Sequence, residues 1–290
     1  MKVLVTGASG QVGQALLGAV PLQVDLRALT RAELDIRDES AVRAAVQAFK
    51  PEVIINAAAY TAVDKAEAEP ELAGAVNADG PRYLAQAAAA IPGCRLLHLS
   101  TDYVFDGRAS EPYKPGDATH PISVYGRSKL LGERAVLAVL GERAVVLRTA
   151  WVYAAQGRNF LLTMLRLMRE HKAVRVVGDQ EGTPTAAASI ACALWAIAER
   201  RGVHGILHWT DAGKATWYDF AAAIVKEGHA AGLLSEPVEL TRITTADYPT
   251  PAHRPANSVL DIRASITQLR LAPPPWQDNL RATLAKVARS

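Results

Sequence analysis

Three short stretches hold side chains whose types and spacing suit nucleotide binding and proton transfer. In "TGASGQVG", Gly7, Gly10 and Gly13 fall at three-residue intervals. Glycine at this spacing lets a tight turn adopt unusual backbone angles and lets a pyrophosphate approach the main chain closely. A helix opening at Gln11 and Val12 adds free N–H groups and a positive dipole end. In "STDYVFDG", Ser100, Thr101 and Asp102 end an apolar run, and ligands of open α/β sheets sit at such strand ends. In "YGRSK", Tyr125 and Lys129 are four residues apart and share a helix face. A nearby ammonium favours phenolate, bringing a tyrosine pKa down from about 10 toward a range useful for proton transfer. The same lysine can reach ribose hydroxyls.

Each stretch has a plainer reading alone: a capped turn for Ser100 and Asp102, a chance pair for Tyr125 and Lys129. Together in one chain they read as a site. The cofactor choice turns on the region after the second strand, Leu29-Thr30-Arg31, which has no carboxylate before Glu33. Arg31 suits a 2′-phosphate and so NADPH, and equally suits an exposed place on a solvated loop. Asp35 and Ile36 are placed to flank the adenine, by analogy with related folds.

The elements that position these residues alternate. "KVLVTG", "DLRAL", "EVIINAAA", "CRLLHLS" and "AVVLRTAWVY" read as strands, separated by helices such as "DESAVRAAVQAFK", "ELAGAVNADGPRYLAQAAAAI" and "SVYGRSKLLGERAVLAVL". The second of these helices is expected to break near Gly80-Pro81. Repeated βα units predict right-handed crossovers and a doubly wound parallel Rossmann sheet of α/β class over residues 1–150. Beyond 150 the order loosens: a smaller α/β domain over 151–290 is expected, with part of about 203–228 returning to the first. "TTADYPTPAHRPANS" reads as an irregular loop.

Composition bounds the function. With 290 residues, half of them hydrophobic, 32 basic and 29 acidic, the chain reads as an ordinary globular protein with no call for nucleic acid or an anionic membrane. No apolar run reaches the roughly 18 residues that span a bilayer, and the expected location is cytoplasmic. Cys94 and Cys192 suggest neither disulfide nor zinc site and read as core residues. His98, inside a strand, reads as a satisfied core residue, and no His/Asp/Glu spacing suggests a catalytic metal.

The glycine turn, "INAAAYTAVDKAE", "STDYVF" and "YGRSK" together resemble the extended short-chain dehydrogenase/reductase superfamily. More narrowly, "NAAAYTAVDKAEAEPELAGAVN", "STDYVFDG", "RTAWVYA", "DQEGTPT" and "YPTPAHRPANSVLD" resemble its dTDP-4-dehydrorhamnose reductase family, from residue 1 to about 285. The resemblance implies hydride transfer from NADPH, or NADH, to C4 of a dTDP-linked 4-keto sugar. It implies Tyr125 as general acid, Lys129 on the nicotinamide ribose, and Thr101 hydrogen-bonding O4. Asp102 would bond a sugar hydroxyl. Gln11 and Val12 would pack on the cofactor phosphates, and Ala59, Tyr60 and Thr61 on its nicotinamide half. Trp151 would wall the sugar, Asn159 would open a helix that meets the substrate diphosphate or base, and Arg254 would pair with phosphates. Some family members are described as holding Mg²⁺ at a dimer interface through glutamates, one of them in the first helix. Here that helix carries Ala15 and no acid, which puts both the metal and that dimer in doubt and leaves monomer or homodimer open.

Two other classes share the architecture. The regulatory subunit of methionine adenosyltransferase is a binding partner, and such relatives can lose the Tyr-x-x-x-Lys pair that is present here. Nucleotide-sugar dehydratases would be expected to carry an acidic pair after the threonine, where this chain has Asp102-Tyr103. Epimerases keep their NAD tightly bound. The reductase reading is preferred to all three.

Overall fold

Uninterrupted apolar runs such as Val3-Leu4-Val5 and Val53-Ile54-Ile55 must be covered on both faces, which a parallel sheet between two helical layers achieves. In the computed structural model, which describes residues 1–289, these runs form the inner strands of a six-stranded, all-parallel sheet. Its strands are β1 (Lys2–Thr6), β2 (Asp25–Leu29), β3 (Val53–Asn56), β4 (Arg95–Thr101), β5 (Ala144–Thr149) and β10 (Gly205–His208). Their spatial order is β2-β1-β3-β4-β5-β10. One face is covered by α1 (Gln11–Leu17), α8 (Ala187–Glu199) and α10 (Arg263–Leu269), the other by α2 (Glu39–Phe49), α5 (Gly80–Ala89) and α6 (Val124–Leu140). The strand order reverses between β1 and β3. A crevice at their carboxyl ends is the position such sheets give their ligands.

A second core gathers α7 (Phe160–Glu170), α9 (Trp217–Ala230) and α11 (Trp276–Val287) around Phe220, Trp276 and Tyr153. Three small sheets edge it. β7 (Ala173–Val177) pairs in parallel with β12 (Glu239–Ile243), and β6 (Val152–Tyr153) with β9 (Thr185–Ala186). β8 (Glu181–Gly182) runs antiparallel to β11 (Ala215–Thr216). The boundary expected at 150 is therefore not a clean cut. Both α8 and β10 belong to the first core, whereas α9, which begins inside the 203–228 stretch, belongs to the second.

Several local expectations are corrected. "AVVLRTAWVY" is not one strand: the chain leaves β5 at Ala150 and turns through Trp151, whose φ of 47° lies in the left-handed region, before β6 joins another sheet. The long alanine-rich segment does not break at Gly80-Pro81. It runs from α4 (Pro70–Gly74) through one π-turn at Ala75–Asp79 directly into α5. The π-turn lies just before Pro81, whose ring nitrogen cannot complete an α-helical bond, and such bulges recur at functional sites. Cys192 is exposed, not a core residue. No helix among the described residues is long and apolar enough to cross a membrane.

Candidate active site

A cleft of about 510 Å³ opens at the carboxyl ends of β1, β3, β4 and β5. Gly10, Gln11 and Val12 line it at one end, Ala59 and Thr61 follow β3, and Thr101, Asp102, Tyr125 and Lys129 stand in its middle. Trp151 lines it from the loop after β5. The sequence motifs thus converge on one space, although 118 residues separate Gly7 from Tyr125 by chain number.

The glycines divide their work. A Cβ on Gly7 would come within 2.5 Å of the Ala58 nitrogen and one on Gly13 within 2.2 Å of the Gly7 carbonyl oxygen, so both serve close backbone packing. Gly10 instead lines the cleft.

The α6 pair is held from several sides. Ser123 caps the helix, accepting from Gly126 N at 3.1 Å, and Glu67 accepts from Val124 N at 2.8 Å. Glu67 follows the short helix α3 (Val63–Ala66), which explains the acid in "VDKAE". Asn77, inside the π-turn, accepts from Tyr60 N at 2.9 Å and donates to Tyr60 O and Ser128 Oγ, both at 3.0 Å. It ties the segment after β3 to α6. Lys129 is 2% exposed and donates to Leu99 O at 2.7 Å. Burial brings its ammonium down to about 8 against the raising influence of Glu133.

Tyr125 departs from the expected direction. Burial pushes its phenol up to about 12; a hydrogen bond with Thr101 works against this, and Asp102's charge adds to it. The physical reason is desolvation of a phenolate crowded by protein groups. Its ring meets that of Tyr103 edge to face, centroids 5.9 Å apart. Thr101 Oγ1 donates to Asp102 Oδ1 at 2.9 Å and accepts from Tyr103 N at 3.2 Å.

Asp102 is buried, and burial raises its carboxyl to about 6 from a usual 3.8. Its Oδ2 and the hydroxyl of Thr149, which also lines the cleft, are buried without a partner among the described residues. Unpaired polar atoms of this kind are rare and belong to sites that meet a polar ligand. Because the folded-state pKa is raised, the ionised carboxylate opposes folding above about pH 6, and that penalty is relieved as pH falls through 6 toward 3.8. Thermal unfolding of Asp102→Asn should therefore depend less on pH between 7 and 5 than that of the wild type. Parallel melting curves would count against the raised carboxyl.

Other candidates sit elsewhere. Tyr60 turns its hydroxyl to Glu69 at 2.6 Å, so its side chain leaves the cleft. Ile36 is core, 4% exposed beneath Gly80, and its side chain has no face for an adenine. Asp35 is bonded by Arg37 at 2.5 and 2.9 Å, and Glu33 caps Thr30, so neither carboxylate is free for a ribose. Arg31 stays exposed, 3.9 Å from Asp35. Asn159 is the N-cap of α7, and its amide donates to Gln11 Oε1 at 2.8 Å and to two carbonyls, leaving no hydrogen for a diphosphate. Arg254 is paired with Asp64 at 2.7 and 3.0 Å, bracing the proline-rich loop against α3 rather than lining the cleft. His98 is only half satisfied: Nδ1 meets Asn56 Nδ2 at 3.0 Å, and Nε2 has no partner among the described residues.

Among the cleft residues that sequence reading missed, besides Thr149, two carry side chains of distinctive chemistry. Trp217 stacks on Trp151 with centroids 3.5 Å apart and planes 5° from parallel, and its Nε1 donates to Gln180 Oε1 at 3.2 Å. Arg158 lines the cleft beside Gln11, whose Nε2 donates to its carbonyl at 3.4 Å. The "TWYDF" and "QGRNF" stretches signal only helix starts, so nothing local marked either.

A doubly wound sheet with a glycine turn beside its switch point and a Thr-Tyr-Lys set in one cleft defines an extended short-chain dehydrogenase/reductase. Comparison narrows the class: the family model described as the RmlD substrate binding domain matches residues 1–289. A dTDP-4-dehydrorhamnose reductase of Aggregatibacter actinomycetemcomitans is 45% identical, with 97% of each chain covered. A probable dTDP-4,6-dihydroxy-2-methyloxan-3-one 4-ketoreductase of Streptomyces antibioticus is 44% identical over 90% of this chain and 86% of its own. The crystal structure of a dTDP-4-dehydrorhamnose reductase from Bacillus anthracis, in complex with NADP, superposes with a TM-score of 0.92 at 32% identity, covering 98% of this chain and 99% of that one. The chain belongs to the dTDP-4-dehydrorhamnose reductase family.

Proposed function

We propose that this chain reduces the C4 ketone of dTDP-4-dehydro-6-deoxy-L-mannose (dTDP-4-dehydrorhamnose) with NADPH, giving dTDP-β-L-rhamnose. The observation that carries this reading is the gathering of Thr101, Tyr125 and Lys129 around one cleft in a chain of this family. The residues present fit a nicotinamide dinucleotide. Gly10 leaves open backbone at one end, and the unpaired oxygens of Asp102 and Thr149 await polar partners nearer the middle.

When bound, NADPH supplies the hydride that adds to C4. Tyr125, kept neutral by burial, holds the proton that O4 takes up as its charge grows. The Thr101 hydroxyl hydrogen-bonds the same oxygen, and the Lys129 ammonium steadies the phenolate that Tyr125 leaves behind. Asp102 accepts from a sugar hydroxyl through its free oxygen. The stacked Trp151 and Trp217 wall the sugar, and Arg158 pairs with a diphosphate at the Gln11 end of the cleft. Mg²⁺ does not fit where the family would place it. Ala15 faces a second depression whose lining includes Lys286 and no carboxylate.

Arg31 favours NADPH because the neighbouring carboxylates are already bonded within the protein. Arg31→Ala should lower the NADPH over NADH preference in kcat/KM by about tenfold, the size of one charge-assisted hydrogen bond. An unchanged ratio removes Arg31 from this account. The function itself is tested by NADPH oxidation with the dTDP-linked 4-keto sugar, made in situ, beside UDP- and GDP-linked controls. Stoichiometric consumption with the dTDP sugar is expected, and none would overturn the reading. The Streptomyces relative's name gives a different dTDP-linked ketone, so that ketone belongs in the same assay.

A further inference from the structure

Glu133 lies one helical turn beyond Lys129 and two beyond Tyr125, on the same stripe of α6. Its side chain is 1% exposed, and its carboxylate accepts from three directions. Ser100 Oγ donates at 2.5 Å, Arg148 Nε at 2.9 and 3.2 Å, and Arg148 Nη2 at 2.7 Å. Ser100 and Arg148 are register partners on β4 and β5, and the residues that follow them, Thr101 and Thr149, both line the cleft. One position earlier on β4, Leu99 O accepts from Lys129. A single carboxylate thus joins the helix that carries Tyr125 and Lys129 to the two strand tips beside them.

We propose that Glu133 is the positioning residue of this site: through Ser100 it fixes the tip of β4 that presents Thr101, and one turn away on the same stripe of α6 it supplies the counter-charge of Lys129. The inference rests on the roles proposed above for Thr101, Tyr125 and Lys129. Stability alone is a poor reason for such a pair, since burying two ions offsets most of their attraction and apolar residues of similar volume often serve as well. The charges around the lysine supply a better one. From β4, His98 faces Lys129, and burial together with that ammonium holds the imidazole neutral. From β10, His208 touches Arg148 at 3.5 Å and is likewise held neutral, chiefly by burial. Arg148 from β5 is a second buried cation, and Asp102, after β4, is itself reluctant to ionise. Glu133 is the anion that offsets the burial of Lys129.

The test compares three variants by NADPH affinity against pH, read by fluorescence titration, and by kcat for the keto sugar. Glu133→Gln removes the charge and keeps the shape. An ammonium that loses its counter-charge gives up its proton at lower pH, so the alkaline fall in NADPH affinity should come about one pH unit earlier or more. Ser100→Ala keeps the charge and cuts the tie: the fall should stay at the wild-type pH while kcat drops about tenfold, as a misplaced hydroxyl would produce. Should Glu133→Gln fail to fold with Arg148 stranded, Glu133→Asp moves the charge by one methylene and should show both effects in part. A purely structural Glu133 would lower stability and leave the alkaline fall in place. That result in Glu133→Gln, wild-type kcat in Ser100→Ala, or wild-type behaviour of Glu133→Asp in both readouts overturns the proposal. The titration needs no turnover, so a wild type that binds NADPH and leaves the keto sugar unreduced marks a failure of the functional reading instead.

Discussion

Replacing Tyr125 by phenylalanine is expected to lower kcat for the dTDP-linked 4-keto sugar by about 10²- to 10⁴-fold, the range a positioned general acid contributes. The ring, its edge-to-face contact with Tyr103 and the packing of α6 are all retained in the variant. NADPH affinity should therefore stay within a few-fold of the wild type, since Lys129 keeps its bond to Leu99 O. The phenol's raised pKa strengthens the expectation. At neutral pH Tyr125 carries its proton, as a donor to O4 must. The check is single-turnover reduction beside an NADPH titration. Near-wild-type kcat would mean that another group delivers the proton, and Tyr103 is the neighbour to try next.

The expectation that Lys129 lowers the tyrosine pKa was read from spacing, which is a statement about one helix face. What decides the direction is the surroundings. Residues from β4 and from the loop that follows crowd the phenol, and the lysine, which gives one of its three hydrogens to a main-chain carbonyl, is not among the causes of the shift. The same distinction separates what was legible from what was not. Gly10, Thr101, Asp102, Tyr125 and Lys129 meet in the cleft because each sits where a βα unit exposes its strand end, and that is visible in local pattern. Trp217, Arg158 and Glu133 act across elements, and their partners Trp151, Gln11 and Ser100 lie 66, 147 and 33 positions away. The strand break at Trp151 is similarly tertiary. A tryptophan at φ 47° persists only where its surroundings hold it, here by stacking on Trp217 and packing over Gly182. The partners of Asn159 and Arg254 were hidden for a related reason: Asn159's bond to Gln11 and Arg254's ion pair with Asp64 join residues far apart in the chain.

The close approach of α6 to its neighbours gives the second large expected effect. A Cβ on Gly126 would lie 2.1 Å from the Tyr103 carbonyl oxygen and 3.0 Å from both the Tyr103 carbonyl carbon and Pro121 Cβ. These are main-chain and ring atoms, which cannot rotate aside as a side chain would. Alanine's better helix propensity offers at most about 1 kcal/mol, whereas forcing a methyl into a filled contact costs about 1–3 kcal/mol or more. The clash therefore wins. Gly126→Ala should lower stability on the order of 2 kcal/mol, several degrees in Tm for a chain of this size. Because α6 must retreat from the loop holding Tyr103, Tyr125 moves with it, and kcat should fall by about 10²-fold, as ångström-scale misplacement of a reacting group does. Gly74→Ala is the matched comparison: it is helical, with φ −61° and nothing within 4 Å of its added methyl. That variant should melt at or slightly above the wild type with unchanged kcat. If the two variants melt together, the contact at Gly126 does not set how closely α6 approaches the site.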